Sequence, residues 1–552
     1  MSFSQTNTSS QAAGAGENAG RAALTTAHSA DQPDGVDRAS FWHDRLIEIG
    51  LIFSMALYYL IGNENVKFHI GNLAQLSPLF ALPFLCVFIG LAWYRLPFAV
   101  ALLPLALPYY LAPKDVIRSV QLSPAEIILW ICLGVALVQF AVLRRKWPYK
   151  LSLQELRQRL GPFLWPILLF VLASIISLLG VSAPGTALRA FRQEILDPLI
   201  YVGLIFCCLR SRPAITRLLV ALFTTGLVIA FIAILDYVMF GKTDTVYGGP
   251  PSVGLLFDYT LPIGLAIIFA RISWKVRLAV LLLSIPFIYA LLHNDSRGSA
   301  LAAFPVVLLF VIILAIRNRK VLLVGGSIAL VIVAIGYGLF YPKVNRVVMD
   351  TIINGHADKN NVTTLQRRVH LWQSAEAMIH DYPWFGVGLD NWLCHYANPR
   401  VVPAADPNYK LQGKTSQYAW MQLCPPASHY YIVSEENGKD THMYDEPGLS
   451  HPHNIFLHVW VSIGVFGLLA FVAFLVFFYW LFARILRYLD THTIAHSEQW
   501  RWMTIGVAAA MLAAIIQGLV DSSFLAQDLV FCFWLLIATL LIIRRQISLS
   551  WR

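Results

Sequence analysis

Charge is what this chain has least of. Only 13% of its 552 residues are Asp, Glu, Lys or Arg, against 57% hydrophobic ones, and a soluble core of this length cannot hide so much apolar side chain. A water-soluble globular protein is thereby excluded. No Gly-x-Ser-x-Gly element and no Gly-rich loop ahead of Lys-Ser/Thr occurs, which argues against a serine hydrolase and a nucleotide-driven transporter. Roughly the first forty residues have no apolar run, so they read as a disordered tail and not as a signal peptide, which needs an apolar h-region.

What is present in quantity is apolar sequence in runs long enough to span hydrocarbon as helices, roughly 17–25 residues each. The runs are too long and too continuously apolar for barrel strands. About fourteen recur from Leu46 onward, at approximately 46–62, 76–93, 97–112, 125–143, 162–181, 197–209, 218–240, 254–270, 278–293, 299–316, 321–341, 454–482, 502–520 and 527–543. Pro104, Pro108, Pro262, Pro286 and Pro305 predict kinks. The expected fold is an all-α polytopic membrane protein with about 12–14 transmembrane helices and one large, partly helical outer loop. The expected units are a tail over 1–44, transmembrane helices over 45–341, the large loop over 342–453 and C-terminal helices over 454–552.

The formal net charge of +10 sits mostly in alternate loops. Arg95, Arg144, Arg145, Lys146, Arg157, Arg159, Arg210, Arg212, Arg217, Arg271, Lys275, Arg277, Arg317, Arg319, Lys320, Arg484, Arg487, Arg544 and Arg545 fall on one side. By the positive-inside rule that side is cytoplasmic, with both termini there. The charge is topology, and nucleic acid is not an expected partner; membrane lipids are.

The 342–453 loop has the composition of a soluble segment. Within it, Leu365, Val369, Leu371, Trp372, Ala375 and Ile379 recur at near-helical spacing, which predicts an amphipathic helix ending at Asp381-Tyr382-Pro383, with a turn at Gly386-Val387-Gly388. Five of seven cysteines fall in membrane segments; Cys394 and Cys424 lie in this loop. In an oxidising compartment the two form a disulfide, the alternative being two unpaired buried thiols.

Polar residues that break the charge rule are the candidates for chemistry. His451-Pro452-His453-Asn454 leads directly into an apolar helix, and a histidine at that boundary can still exchange protons. Arg189 and Arg192 share one helical face on a short outer segment, and Arg297 stands in an outer turn. Guanidiniums there suit pyrophosphate, because they stay charged and fork onto its oxygens; the alternative is pairing with carboxylates, Arg192 with Glu194 or Asp197 and Arg297 with Asp295. The two histidines can also be read as a metal pair or as structural groups capping the next helix. Their spacing is poor for one helix face, and no ligand set at zinc-site spacing accompanies them, so no metal or other cofactor is expected. His458 reads as a packing or hydrogen-bonding residue.

Three motifs occur in order: Asp295-Ser296-Arg297-Gly298-Ser299; Trp372 through Asp381-Tyr382-Pro383-Trp384-Phe385-Gly386-Val387-Gly388-Leu389-Asp390-Asn391-Trp392; and His451-Pro452-His453-Asn454-Ile455-Phe456-Leu457 running into Gly464-Val465-Phe466-Gly467-Leu468. With the large loop between the second and third, they resemble the O-antigen ligase/polymerase superfamily over roughly residues 160–480. The resemblance implies a GT-C-like fold in the bacterial inner membrane. It also implies a periplasmic, metal-independent, inverting transfer of glycan from undecaprenyl pyrophosphate to an acceptor hydroxyl, most simply lipid A-core. His453 matches the family's essential histidine and Arg192 and Arg297 its arginines, with Arg189, His451 and Asn454 as further substrate-binding candidates. O-antigen polymerases and O-linked protein oligosaccharyltransferases share the motifs and differ in acceptor. A transporter for a lipid-linked or anionic solute is the rival of another class, disfavoured by the lack of a clear inverted repeat.

Overall fold

The computed structural model describes residues 38–64, 73–110, 112–117, 120–141, 153–241, 250–269, 273–293, 364–396, 434–436, 439–442 and 451–551. Helix dominates, and among these residues 7 helices are long and apolar enough to cross a membrane, or up to 8 when a bent pair counts as one span. The all-α polytopic reading holds, with two small antiparallel hairpins, β1 (Lys114–Ile117) with β2 (Val120–Leu122) and β3 (Ser434–Glu436) with β4 (Lys439–His442), as its exceptions.

The elements follow the apolar runs with several differences. Helix α1 (Arg38–Leu60) begins inside the stretch read as tail. The runs at 76–93 and 97–112 form the bent pair, α2 (Leu82–Tyr94) and α3 (Leu96–Leu102), which turn by 116° at Arg95. Pro97 explains the turn, since it lacks an N–H to continue the α2 ladder and disfavours helix in the residue before it. After α4 (Pro124–Ala141), α5 (Leu153–Leu160) and α6 (Leu164–Ser177), the chain enters α7 (Pro184–Ala190). A π-helical turn over Phe191–Leu196 joins α7 to α8 (Asp197–Cys208), which is too short to span alone. Helices α9 (Arg212–Phe240), α10 (Pro250–Phe269) and α11 (Trp274–His293) follow. The expected spans at 299–316 and 321–341 lie outside the described residues, as does most of the 342–453 loop.

The described part of that loop is α12 (Thr364–Asp381), the turn after it and α13 (Trp392–Tyr396). The amphipathic helix is there, with its buried stripe through Leu371, Ser374, Ala375 and Met378, whereas Val369 is exposed. The last three helices are α14 (Ile455–Thr491), α15 (Ser497–Gly518) and α16 (Gln527–Gln546). Helix α16 is enclosed on all sides, as expected of a helix that is apolar all round. Phe170 of α6, Phe474 of α14 and Trp534 of α16 meet edge to face at 5.6 and 4.9 Å, geometry that adds to the burial of their large apolar area.

Helix α14 is interrupted one-quarter of the way down, where Gly464 adopts φ 73°, ψ −176°. This conformation is essentially restricted to glycine. It frees carbonyls that a membrane interior cannot solvate. The turn after α12 takes them: the Val387 N–H donates to the Val461 carbonyl at 2.7 Å and the Gly388 N–H to Ser462 at 3.1 Å, while Val465 donates back to the Pro383 carbonyl at 3.0 Å. The backbones lie so close that a Cβ on Gly464 would stand 2.0 Å from the Trp384 carbonyl oxygen. Gly464→Ala is therefore expected to destabilise the protein by about 1–3 kcal/mol from conformational strain alone, with the collision in addition. Gly134→Ala, on an open helix face, should leave stability within about 1 kcal/mol of the parent. Thermal unfolding in detergent distinguishes the two.

Candidate active site

The polar stretch before α14 is shaped by its own residues. Asn454 caps the helix, its Oδ1 accepting from the Phe456 and Leu457 N–H groups at 3.0 and 3.1 Å, the usual service of an N-cap asparagine. Its Nδ2 donates to the Leu519 carbonyl at 3.1 Å, tying α14 to the turn between α15 and α16. His453, the residue before the cap, has φ 50°, a left-handed conformation uncommon outside glycine. That backbone carries its ring toward Asp521, and the two join through Nδ1 and Oδ1 at 2.8 Å.

Asp521 was not among the residues singled out from sequence. It lies in the α15–α16 turn, which is held from several sides: Phe524 is fully buried in the aromatic cluster, the Ser523 hydroxyl donates to the Ala514 carbonyl at 2.7 Å, and the Tyr259 hydroxyl of α10 donates to the Ser523 carbonyl at 2.7 Å. The Ser522 N–H donates to Asp521 Oδ1 at 2.8 Å. Burial alone would raise this carboxyl. The hydrogen bond and charge of His453, helped by His451 and Arg368, outweigh it and hold the group down to about 2. Asp521 is therefore a carboxylate at any working pH. A carboxylate can only accept, so the Nδ1 of His453 is the donor of this bond.

His451 packs against His453 with ring centroids 4.6 Å apart, and its Nδ1 accepts from the His453 N–H at 3.4 Å. Burial, then the neighbouring histidines, push it well below the ordinary imidazole value, so it is neutral. His458 pairs through Nδ1 with the Ser522 hydroxyl at 2.5 Å, which is the hydrogen-bonding role expected of it. Arg368 of α12, also missed from sequence, donates to the Val520 carbonyl, and Trp372 donates to the His453 carbonyl at 3.4 Å. The loop thus covers the histidines. His451, His453 and Asp521 present ligand atoms within 4.8 Å of one another, so the structure supplies the third metal-capable group that sequence spacing lacked.

The arginines take partners other than those expected. Arg192, on the π-helical turn, pairs with Glu126 of α4 at 2.7 Å and keeps 31% side-chain exposure, instead of pairing with Glu194 or Asp197. Glu126 is itself fixed by a capping box, accepting from the Ser123 N–H at 2.7 Å while its own N–H donates to the Ser123 hydroxyl at 3.3 Å. Gln527, at the start of α16, donates to the same Ser123 hydroxyl at 3.1 Å. Arg189 turns to the loop and meets Asp390 at 3.4 Å. Burial raises the Asp390 carboxyl to about 6 against the opposing pull of Arg189. The π turn sends the two arginines to different elements despite their helical spacing; such turns are frequent at functional sites. Arg297 lies outside the described residues.

A multi-pass helical membrane protein with a carboxylate-oriented histidine and arginines at helix ends is the class these features define. Residues 262–422 match the family model described as O-antigen ligase, a match that supports the O-antigen ligase/polymerase superfamily. The match supports an activity of the O-antigen ligase or polymerase type. The matched stretch includes Arg297 and the α12 segment through Trp392, and ends before His453. No curated protein matches the chain.

Cys394 of α13 is disulfide-bonded, and the five cysteines of the membrane segments are free thiols. We propose Cys424, outside the described residues, as its partner. Mass spectrometry of non-reduced peptides should recover Cys394 joined to Cys424; alkylation of both in unreduced protein would refute the pairing.

Proposed function

We propose that this enzyme is a lipopolysaccharide O-antigen ligase. On this reading it works at the periplasmic face of the inner membrane, with both termini cytoplasmic, and moves O-antigen from undecaprenyl pyrophosphate to a hydroxyl of lipid A-core. The observation that carries the reading is the His453–Asp521 pair at 2.8 Å at the mouth of a membrane helix. An imidazole with a buried carboxylate on Nδ1 presents Nε2 as a general base. His453 takes the proton of the acceptor hydroxyl as its oxygen attacks the anomeric carbon, and the bond to pyrophosphate breaks on the opposite face, inverting the configuration. Asp521 stabilises the imidazolium that forms. Negative charge grows on the departing pyrophosphate, and Arg192, preset by Glu126, and Arg297 neutralise it. Arg189, His451 and Asn454 complete the substrate-binding set, and the loop reads the acceptor. Polymerase and O-linked protein oligosaccharyltransferase readings share this chemistry; transfer of labelled glycan onto lipid A-core, free glycan or a pilin-like protein separates them.

Removing the base in His453→Ala should lower transfer by about two to four powers of ten with donor binding retained. Asp521→Asn should also cost about two powers of ten or more, because an amide can hold the ring in the wrong tautomer. Asp521 should keep its charge on acidification, since it is held down to about 2. Near-normal transfer by His453→Ala would remove the assignment.

A second reading is favoured by one observation, the convergence of His451, His453 and Asp521 within 4.8 Å. Those atoms are already engaged with each other, His453 with Asp521 and His451 with the His453 N–H, which supports a hydrogen-bonded base over a ligand set. Purified enzyme should keep its activity in EDTA. Activity lost to EDTA and restored by a divalent cation would turn the site into a metal centre.

A further inference from the structure

A second cavity opens at the other end of the bundle, where the mechanism above uses no residue. It encloses about 580 Å³ and is lined by Arg45 of α1, Arg212 and Arg217 of α9, Ile263 of α10, Val280 of α11 and Trp502 of α15. Arg212 opens α9, Arg217 stands about one and a half turns into it and Arg45 directly precedes the apolar run of α1, while Val220 of α9 and Gly506 of α15, which also line the cavity, lie more than two turns in. The cavity is therefore charged at the membrane boundary and apolar toward the bilayer centre. Arg45 and Arg217 share a single carboxylate, Glu48. The buried Nη1 of Arg212 has no hydrogen-bond partner among the described residues. A buried donor left without an acceptor is costly, and the Arg212 Nη1 calls for an anion beside it.

We propose that this cavity binds an anionic phospholipid of the phosphatidylglycerol class from the cytoplasmic leaflet. The headgroup phosphate meets Arg212 and its two neighbours, and an acyl chain lies against Ile263, Val280 and Trp502. A basic end alone fits any small anion. The apolar continuation inside the bundle fits a molecule whose anion carries a hydrocarbon tail, and basic pockets between membrane helices on the cytoplasmic side recognise lipid headgroups in this way. Because α1, α9, α10, α11 and α15 all contribute, the lipid joins the N-terminal helices to the C-terminal ones on the face away from the histidines.

The test is native mass spectrometry of the full chain in detergent, offered equal amounts of phosphatidylglycerol and phosphatidylcholine. One phosphatidylglycerol should be retained in clear preference to phosphatidylcholine. Arg212→Gln should weaken that retention about fivefold, the effect of one cation near a headgroup. Val276→Trp should weaken it without touching charge, since Val276 also lines the cavity and, at 46% exposure, tolerates a larger side chain. Equal retention of the two lipids, or undiminished retention in both variants, overturns the proposal. Displacement of phosphatidylglycerol by millimolar inorganic phosphate would do so as well, reducing the cavity to a simple anion site.

Discussion

The seat that the turn after α12 makes on the broken helix α14 is the constraint on which the rest depends. A membrane helix interrupted at Gly464 exposes carbonyls that lipid cannot satisfy, and the break persists because Val387 and Gly388 donate to Val461 and Ser462. The same turn reaches the other half of the site. Gly388 lies against Val181, Asn391 Oδ1 accepts from the Ala183 N–H at 2.8 Å at the start of α7, and Asp390 holds Arg189. Four loop residues between 387 and 391 thereby position the histidine helix and the arginine segment against each other. The Gly386-Val387-Gly388 motif is thus a backbone clamp, its φ values of 69° and 97° at the two glycines suiting it to close approach.

The polar groups in contact with His453 are tolerable in a membrane protein because they pair with one another. Asp521 accepts from both His453 and Ser522, His458 is paired with Ser522, and Arg368 is drawn to the Val520 carbonyl. On the proposed mechanism only one net ionic pair has to form when His453 takes a proton, and its carboxylate is already in place. His451 stays neutral, so the base is not opposed by a second cation beside it. This arrangement needs no rearrangement of charge at the moment of proton transfer, which is the sense in which a preset site lowers a barrier.

Much of this was legible in the sequence, and the misses share a cause. The helical membrane class follows from composition and the α12 helix from local periodicity, whereas the cap expected of the histidines is made by Asn454. Asp521 is 68 residues from His453, a lone acid in a short break between two apolar runs, and nothing local marks its partner. Its outer-face position was the available signal. The alternative carboxylate partners considered for Arg192, Glu194 and Asp197, were chosen by proximity in sequence, whereas the π turn rotates it onto Glu126 of another helix. The stripe of α12 was misplaced at Val369 because periodicity alone does not say which neighbouring turn of a helix is covered; packing on Val461 and Val387 decided it.

Scarcity of charge is what gives each charged residue its meaning. In a chain with so few, basic side chains take two kinds of partner. Arg544 donates to the carbonyls of Leu549 and Arg159 and lies 3.8 Å from the Trp551 ring, whereas Arg217 meets Glu48, Arg192 meets Glu126 and Arg189 meets Asp390, each a carboxylate from a distant element. A cation held by a neutral carbonyl needs only to be buried, whereas one held by a single carboxylate is oriented while its remaining donors stay directed outward. The first arrangement fixes topology. The second leaves a guanidinium edge available to an anion.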